Sequence, residues 1–120
     1  MPVRRGIRFG VGLALLLALG EPAWATLANF KGFKQAYPGK GPKATSCKIC
    51  HQHLMGQKGD LNMYGLALQK LKAPADAKNL TEQDFRAIEK EDADKDGASN
   101  LDEINAGTFP GDPASVPHKK

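Results

Sequence analysis

Hydrophobic residues are spaced along the chain in patterns that predict helices. An apolar run occupies residues 11–19 and is broken only by Gly12. Phe30, Phe33 and Tyr37 then recur at intervals of three and four, which places aromatic side chains on one face of a helix over residues 27–37. Pro38 follows and should end this helix.

Two further helices are predicted downstream. In residues 59–72, Leu61, Tyr64, Leu68 and Leu71 are three or four positions apart, as in an amphipathic helix. Around residues 81–88, Thr81 with an acidic residue three positions later resembles a capping box, and Phe85 and Ile88 supply an apolar face. The pattern therefore indicates an all-α domain.

The apolar run at 11–19 belongs to a predicted export signal. Arg4, Arg5 and Arg8 precede it, and the small residues of Ala23-Trp24-Ala25 follow it, as in a signal peptide cleaved after Ala25. The run is shorter than the roughly 20 apolar residues of a membrane anchor. We expect residues 1–25 to be removed, leaving no stable membrane span; an uncleaved signal that tethers the protein is the alternative.

Signal removal changes the charge of the chain. Lys plus Arg falls from 17 to 14 and Asp plus Glu from 13 to 12, so the formal charge falls from +4 to +2. A basic balance this small does not point to nucleic acid as a partner.

Residues 26–120 are enough for one small domain with a marginal core, which a bound apolar cofactor would enlarge.

Residues 47–51, Cys-Lys-Ile-Cys-His, carry the most specific chemistry. Two thiols three positions apart, followed at once by a histidine, have the spacing that attaches haem covalently. Each thiol adds to one vinyl group of the porphyrin and the imidazole binds the iron. We therefore predict one covalent haem c, with Cys47 and Cys50 as thioethers and His51 as the proximal ligand.

Three other interpretations fit part of this segment. A redox disulfide between Cys47 and Cys50 expects a thioredoxin-like strand and helix, and it leaves His51 unused. A zinc site of Cys47, Cys50, His51 and His53 has suitable ligand types but lacks a distant second pair. The thiols could also be buried structural residues. Covalent haem is favoured because it gives all three motif residues a role.

Residues 92–103 match the twelve-residue calcium loop of an EF-hand, with carboxylates at positions 1, 3, 5 and 12 and glycine at position 6. The predicted ligands are Asp92, Asp94, Asp96, the backbone carbonyl of Ala98, Asn100 and Glu103. Ser99 replaces the apolar residue that usually pairs two such loops, which argues against a paired, cooperative sensor. Exported proteins meet abundant calcium, so we expect one static structural ion. A solvated acidic turn that binds no ion is the alternative.

Residues 92–115 resemble the lone calcium loops of bacterial exported proteins, related to dockerin and thrombospondin type 3 repeats. In those loops a short helix and a Gly-Thr-x-Pro-x-Asp-Pro turn follow, here at residues 107–113. With the haem motif, the mature chain resembles small monohaem c-type cytochromes. The resemblance implies a helical cytochrome c-like domain around covalent haem, with a lone EF-hand-like helix-loop-helix at the C-terminus.

The distal iron ligand is less clearly indicated by the sequence. Met63 ranks first because about twelve residues separate it from His51, although core or surface packing is the commoner fate of such a methionine. Met55 and His53 are tethered too close to His51 to pass easily around the porphyrin. His118 lies in a proline-rich and lysine-rich tail. An open iron is the other alternative.

These features predict a periplasmic electron carrier rather than an enzyme. A six-coordinate haem exchanges an electron with redox partner proteins and needs no substrate pocket. Lys40, Lys43 and Lys48 could form a basic rim that steers an acidic partner, although a solvated cluster is the commoner role. The alternatives are a haem-based ligand sensor with open iron and a calcium-ordered docking subunit of a redox complex. Secretion beyond the periplasm also fits the signal.

Overall fold

The computed structural model describes residues 24–43, 47–57, 59–73 and 79–118. Almost all of the predicted signal at 1–25 lies outside these ranges. Residues 72–79, which contain Pro74 and are predicted from the sequence to be a linker or turn, also lie mostly outside them. The described part contains four α-helices, which are α1 Trp24–Ala36, α2 Met63–Lys72, α3 Glu82–Ala87 and α4 Asn100–Ala106, and a short 3-10 helix, Cys47–Ile49. It contains no strand beyond one isolated bridge between His51 and Leu61. The predicted all-α class is confirmed at this level.

Helix α1 confirms the aromatic pattern. Phe33 and Tyr37 are 1% and 5% exposed, and their ring centroids lie 5.2 Å apart. Phe33 also meets Phe85 of α3 edge-on at 5.7 Å, which is a favourable aromatic geometry. Phe30 is only partly buried. The helix ends before Pro38, as predicted.

Helix α2 begins later than its apolar pattern suggested. Asn62 caps it by accepting a hydrogen bond from the Gly65 N–H at 2.9 Å, so the predicted start at residue 59 was wrong by four residues. Tyr64 and Leu68 are buried as expected, whereas Leu71 is 44% exposed. The apolar stripe is therefore correct only over the middle of the helix.

Helix α3 carries the predicted capping box. The Thr81 N–H donates to Asp84 Oδ2 at 2.7 Å, and the Asp84 N–H donates to Thr81 Oγ1 at 3.4 Å. Phe85 and Ile88 are each 1% exposed. They join the side chains of α1, α2 and α4 in one core, which consists of Phe33, Ala36, Tyr37, Ile49, Tyr64, Leu68, Phe85, Ile88 and Ile104.

Contacts distant in sequence attach α1 to the later helices. The Leu80 N–H donates to Asn29 Oδ1 at 3.0 Å, Tyr37 Oη donates to Glu89 Oε1 at 3.0 Å, and Arg86 donates to the Ala36 carbonyl at 3.1 Å. Burial, together with the neighbouring Glu89 carboxylate, raises the pKa of Tyr37 above its ordinary value. Within the described ranges, none of the helices has the length and apolarity needed to cross a membrane.

Candidate functional site

The two cysteines and His51 lie on one tight turn, which we call the cysteine turn (residues 47–51). The Cys50 and His51 N–H groups both donate to the Cys47 carbonyl, at 3.1 and 2.8 Å. Both thiols are half-buried and are not joined in a disulfide. Burial, followed by the proximity of Cys47, raises the pKa of the Cys50 thiol to about 12. The structure therefore brings together the three residues predicted to hold haem.

Asn62 fixes the shape of the cysteine turn. Its side-chain nitrogen lies 2.9 Å from the Lys48 carbonyl oxygen, 3.0 Å from that of Ile49 and 3.3 Å from that of His51. Its backbone N–H donates to the Cys50 carbonyl at 2.9 Å. Because its side-chain oxygen also caps α2, this single residue, which is 9% exposed, joins the cysteine turn to the helix.

Two glycines allow the backbone to approach this junction closely. A Cβ at Gly65 would lie 2.2 Å from the Cys50 carbonyl oxygen, and a Cβ at Gly111 would lie 2.3 Å from Asn62 Oδ1. Glycine is unfavourable inside a helix, so the sequence predicts that a neighbour approaches Gly65 closely, with a porphyrin face as one such neighbour. The neighbour in the structure is the cysteine turn itself.

His51 is oriented by an acidic partner that the sequence analysis did not identify. Its Nδ1 atom contacts Asp60 Oδ1, while His53 Nδ1 lies 3.0 Å from Asp60 Oδ2. Although burial acts in the opposite direction, bonds from His51, the Gln57 N–H and His53 hold the pKa of Asp60 below its usual range. A carboxylate can only accept, so Nδ1 of His51 carries the proton and Nε2 is the atom that can bind a metal.

A cavity of about 490 Å³ opens beside His51. Its volume is within the range of pockets for small molecules and cofactors. The lining residues are Lys48, His51, Gln52, Leu61, Asn62, Met63, Leu66, Phe109, Gly111, Asp112 and Pro113. Met63 and Leu66 are 46% and 51% exposed there. Apolar side chains this exposed in so small a domain fit a site that an apolar cofactor covers.

The four candidates for the distal iron ligand differ in whether they line the cavity beside His51. Met63 lines the same cavity as His51, whereas Met55, His53 and His118 are not among its lining residues. His53 is instead bonded to Asp60, with its side chain 68% exposed. Of the four candidates, Met63 is thus the one that lines this cavity together with His51.

Three acidic side chains converge in the predicted calcium loop. Among the residues that the structure describes, Asp92, Asp94 and Asp96 form the one group of at least three His, Cys, Asp or Glu side chains whose ligand atoms lie within 4.8 Å of one another. Asp92 accepts hydrogen bonds from the N–H groups of Asp96 and Gly97, at 3.2 and 2.9 Å. Gly97 has φ +95°, a left-handed conformation that favours glycine, as the motif requires.

Buried carboxylate oxygens in this loop have no hydrogen-bond partner. Asp94 Oδ2, Asp96 Oδ2 and Glu103 Oε2 are all buried and unpartnered, and Glu103 is fully enclosed. Burial, followed by the charges of Asp94 and Asp96, raises the pKa of Glu103 to about 8; burial raises that of Asp94 to about 6. These carboxylate oxygens lack hydrogen-bond donors, and their negative charges repel one another. A hard divalent cation bound between them would neutralise that charge and fill their need for a partner.

Asn100, at position 9 of the loop, is engaged elsewhere. Its side-chain nitrogen donates to the Ile88 carbonyl at 2.8 Å, and its side-chain oxygen accepts from the Ala93 N–H at 3.1 Å. The residue is fully buried. It thus braces the two ends of the loop.

The segment after the calcium loop connects the two sites. Thr108 donates its N–H to the Glu103 carbonyl at 2.9 Å, and its hydroxyl lies 3.4 Å from Glu103 Oε1. Phe109, Gly111 and Pro113 then line the cavity beside His51. The Gly-Thr-x-Pro-x-Asp-Pro turn noted in the sequence therefore forms a wall of the candidate haem cavity.

Comparison of this chain with protein-family models, with curated proteins and with solved structures finds no match. Function must therefore be inferred from the two sites themselves. Among the described residues the two thiols are not paired, and no cluster of three or more cysteine and histidine ligand atoms converges. Of the interpretations of the cysteine turn, covalent haem gives each motif residue a role.

Proposed function

We propose that this protein is an exported monohaem c-type cytochrome that carries electrons and contains one structural calcium ion. The observation that carries the proposal is the shared cavity: His51, oriented by Asp60, and Met63, the favoured distal candidate, both line it. Bound haem would supply the exchange of one electron at iron. The chain's own part is to tether the porphyrin through Cys47 and Cys50 and to present the axial ligands.

Several features of the site support this assignment over a catalytic one. The exposed apolar side chains around the cavity suit a porphyrin ring. The cysteine turn is fixed by Asn62, so the thiols and the imidazole keep one relative geometry whether the iron is reduced or oxidised. Small rearrangement is what an electron carrier requires. Lys48, stacked over Phe109 at 5.5 Å, places a positive charge at the cavity rim for an acidic redox partner.

The calcium part of the proposal depends on the unpartnered oxygens. Asp92, Asp94, Asp96 and Glu103 supply carboxylates, and Ala98 supplies a backbone carbonyl, in the order that an EF-hand loop uses. Exported proteins meet abundant calcium, so a permanently occupied site fits the predicted location. The ion would hold α4 and the turn after it against the rest of the domain.

The test is expression of the whole chain with its signal in a bacterium that matures c-type cytochromes. The purified protein should show a c-type visible spectrum, and its haem should stay attached to the chain on denaturation because the thioether bonds are covalent. The spectrum of the reduced protein should not change with carbon monoxide. Cys47→Ala with Cys50→Ala should abolish covalent haem. A prompt shift with carbon monoxide would favour the ligand sensor. A chain that carries no haem would refute the proposal, and bound zinc would identify the alternative.

A further inference from the structure

The carboxylate of Asp60 lies beside His51, the candidate proximal haem ligand. It lies nine residues after His51, and the bonds Gln52 N–H to Asp60 carbonyl (2.8 Å) and Asn62 N–H to Cys50 carbonyl (2.9 Å) bring it back alongside the cysteine turn. The Asp60 and His51 side chains are only 12% and 18% exposed. Their contact is thus largely sheltered from water, where a hydrogen bond to a charged group is strong.

The hydrogen bonds around Asp60 keep its carboxylate ionised and directed. Oδ1 accepts from His51 and from the Gln57 N–H at 2.9 Å, and Oδ2 faces His53 at 3.0 Å. The backbone at Gly56 lies close to the His51 ring: a Cβ at Gly56 would come within 3.1 Å of His51 Cδ2. The imidazole is consequently held on one edge by a full negative charge and from behind by backbone.

We propose that Asp60 is a positioning residue that gives His51 partial imidazolate character and so lowers the reduction potential of the bound haem. This inference rests on the proposed function. A carboxylate accepting from Nδ1–H makes Nε2 a stronger donor, as outer-shell carboxylates do for metal-bound histidines. A more basic ligand and a nearby negative charge both favour the ferric over the ferrous iron. A neutral acceptor in place of the carboxylate would provide neither effect.

The second histidine refines the proposal. Because His53 donates to the other oxygen of Asp60, it withdraws charge from the carboxylate. Its side chain is 68% exposed, so replacing it does not open the core. His53→Ala should shift the potential in the direction opposite to Asp60→Asn, since the carboxylate then serves His51 alone.

The test compares the haem-loaded full chain with Asp60→Asn, His53→Ala and Asp112→Asn. Asp112 lines the same cavity but directs a carboxylate oxygen to the Ala114 N–H at 3.0 Å, so it controls for the loss of one charge near the haem. Asp60→Asn should raise the midpoint potential more than Asp112→Asn does. It alone should lower the iron–histidine stretching frequency of the ferrous haem after photolysis of carbon monoxide, in a variant with an open distal site.

Equal potentials for Asp60→Asn and the wild type, with haem bound in both, would overturn the inference while leaving the proposed function intact. A wild-type chain without haem would instead refute the proposed function. If Asp60→Asn does not retain haem, the open-site variant that keeps Asp60 still decides the question. Its iron–histidine frequency should be that of a carboxylate-bonded imidazole, and a frequency typical of a carbonyl-bonded imidazole would overturn the inference.

Discussion

Gly111 lies against the side chain of Asn62 so closely that a Cβ at position 111 would approach Asn62 Oδ1 to 2.3 Å and its Nδ2 to 2.8 Å. Gly111→Ala should therefore displace the amide that holds the cysteine turn. We expect a loss of about 1–3 kcal/mol in unfolding free energy, as for other overpacked sites. Denaturant unfolding measures this loss. Gly59→Ala is the comparison variant: no neighbour lies within 4 Å of a Cβ there, but φ is +83°, so any destabilisation of Gly59→Ala reports backbone strain without steric overlap.

Asn62→Ala tests the role of that amide directly. Removing it strips the Lys48, Ile49 and His51 carbonyls of a donor and the Gly65 N–H of its acceptor. Leaving buried polar groups unsatisfied costs roughly 1–3 kcal/mol per group, so this variant should be among the least stable of single substitutions. Asn105→Ala, which loses one exposed bond to Lys40, is the matched control and should change stability little. Similar unfolding curves for the two variants would contradict the assigned role.

Met63→Ala tests the distal ligand. If Met63 binds the iron, the variant should bind carbon monoxide promptly in the reduced state, and its ferric spectrum should lose the methionine-to-iron band. Met55→Ala is the control, since Met55 is 84% exposed and does not line the cavity. An unchanged Met63→Ala spectrum would remove this residue as a ligand.

The stability of the calcium-free protein should depend on pH through Glu103, in the acidic loop at residues 92–103. The pKa of Glu103 is raised from 4.5 to about 8 in the folded state, so its carboxyl favours folding only while protonated. This contribution is complete below about pH 4.5 and is lost as the pH rises through about 8. Thermal melts with a chelator should therefore show a falling Tm across that range, and saturating calcium should reverse the fall because the ion binds the ionised loop.

Glu103→Gln separates the effect of ionising the Glu103 carboxyl from the predicted role of that carboxyl as a calcium ligand. The amide keeps the volume of the side chain but does not ionise, so the Tm of the chelated variant should depend less on pH than that of the wild type. Calcium should raise its Tm less, since one carboxylate ligand is gone. Asp102→Asn, at an exposed position outside the ligand set, should behave like the wild type in calcium. An unaltered calcium response in Glu103→Gln would exclude this residue as a ligand.

Local patterns in the sequence predicted most of the helices. Phe33, Tyr37 and Phe85 follow helical spacing, and the Thr81 capping box lies where the sequence indicated, because such signals act within a turn or two of the chain. The start of α2 was wrong because apolar spacing extends through Leu61, whereas the chain around it pairs with His51 instead. An Asn one residue before the helix was the available signal.

The residues that support the sites were harder to predict than the residues that form them. The cysteine turn and the acidic loop are contiguous motifs, so their spacing is visible in the sequence. Asp60 and Gly111 act through contacts formed only when the chain folds back on itself. Asn100 fits the ligand pattern by position, but its burial and its bond to Ile88 depend on how the loop packs, which spacing alone does not reveal.

The bonds that shape both sites join residues close together in the chain, whereas α1 is attached by bonds between residues about fifty positions apart. Closing a short loop costs less chain entropy than closing a long one. The cysteine turn and the acidic loop should accordingly form early in folding, with docking of α1 as the later and slower step. The thiols of the cysteine turn and the carboxylates of the acidic loop would then be in place while most of the core is still unassembled.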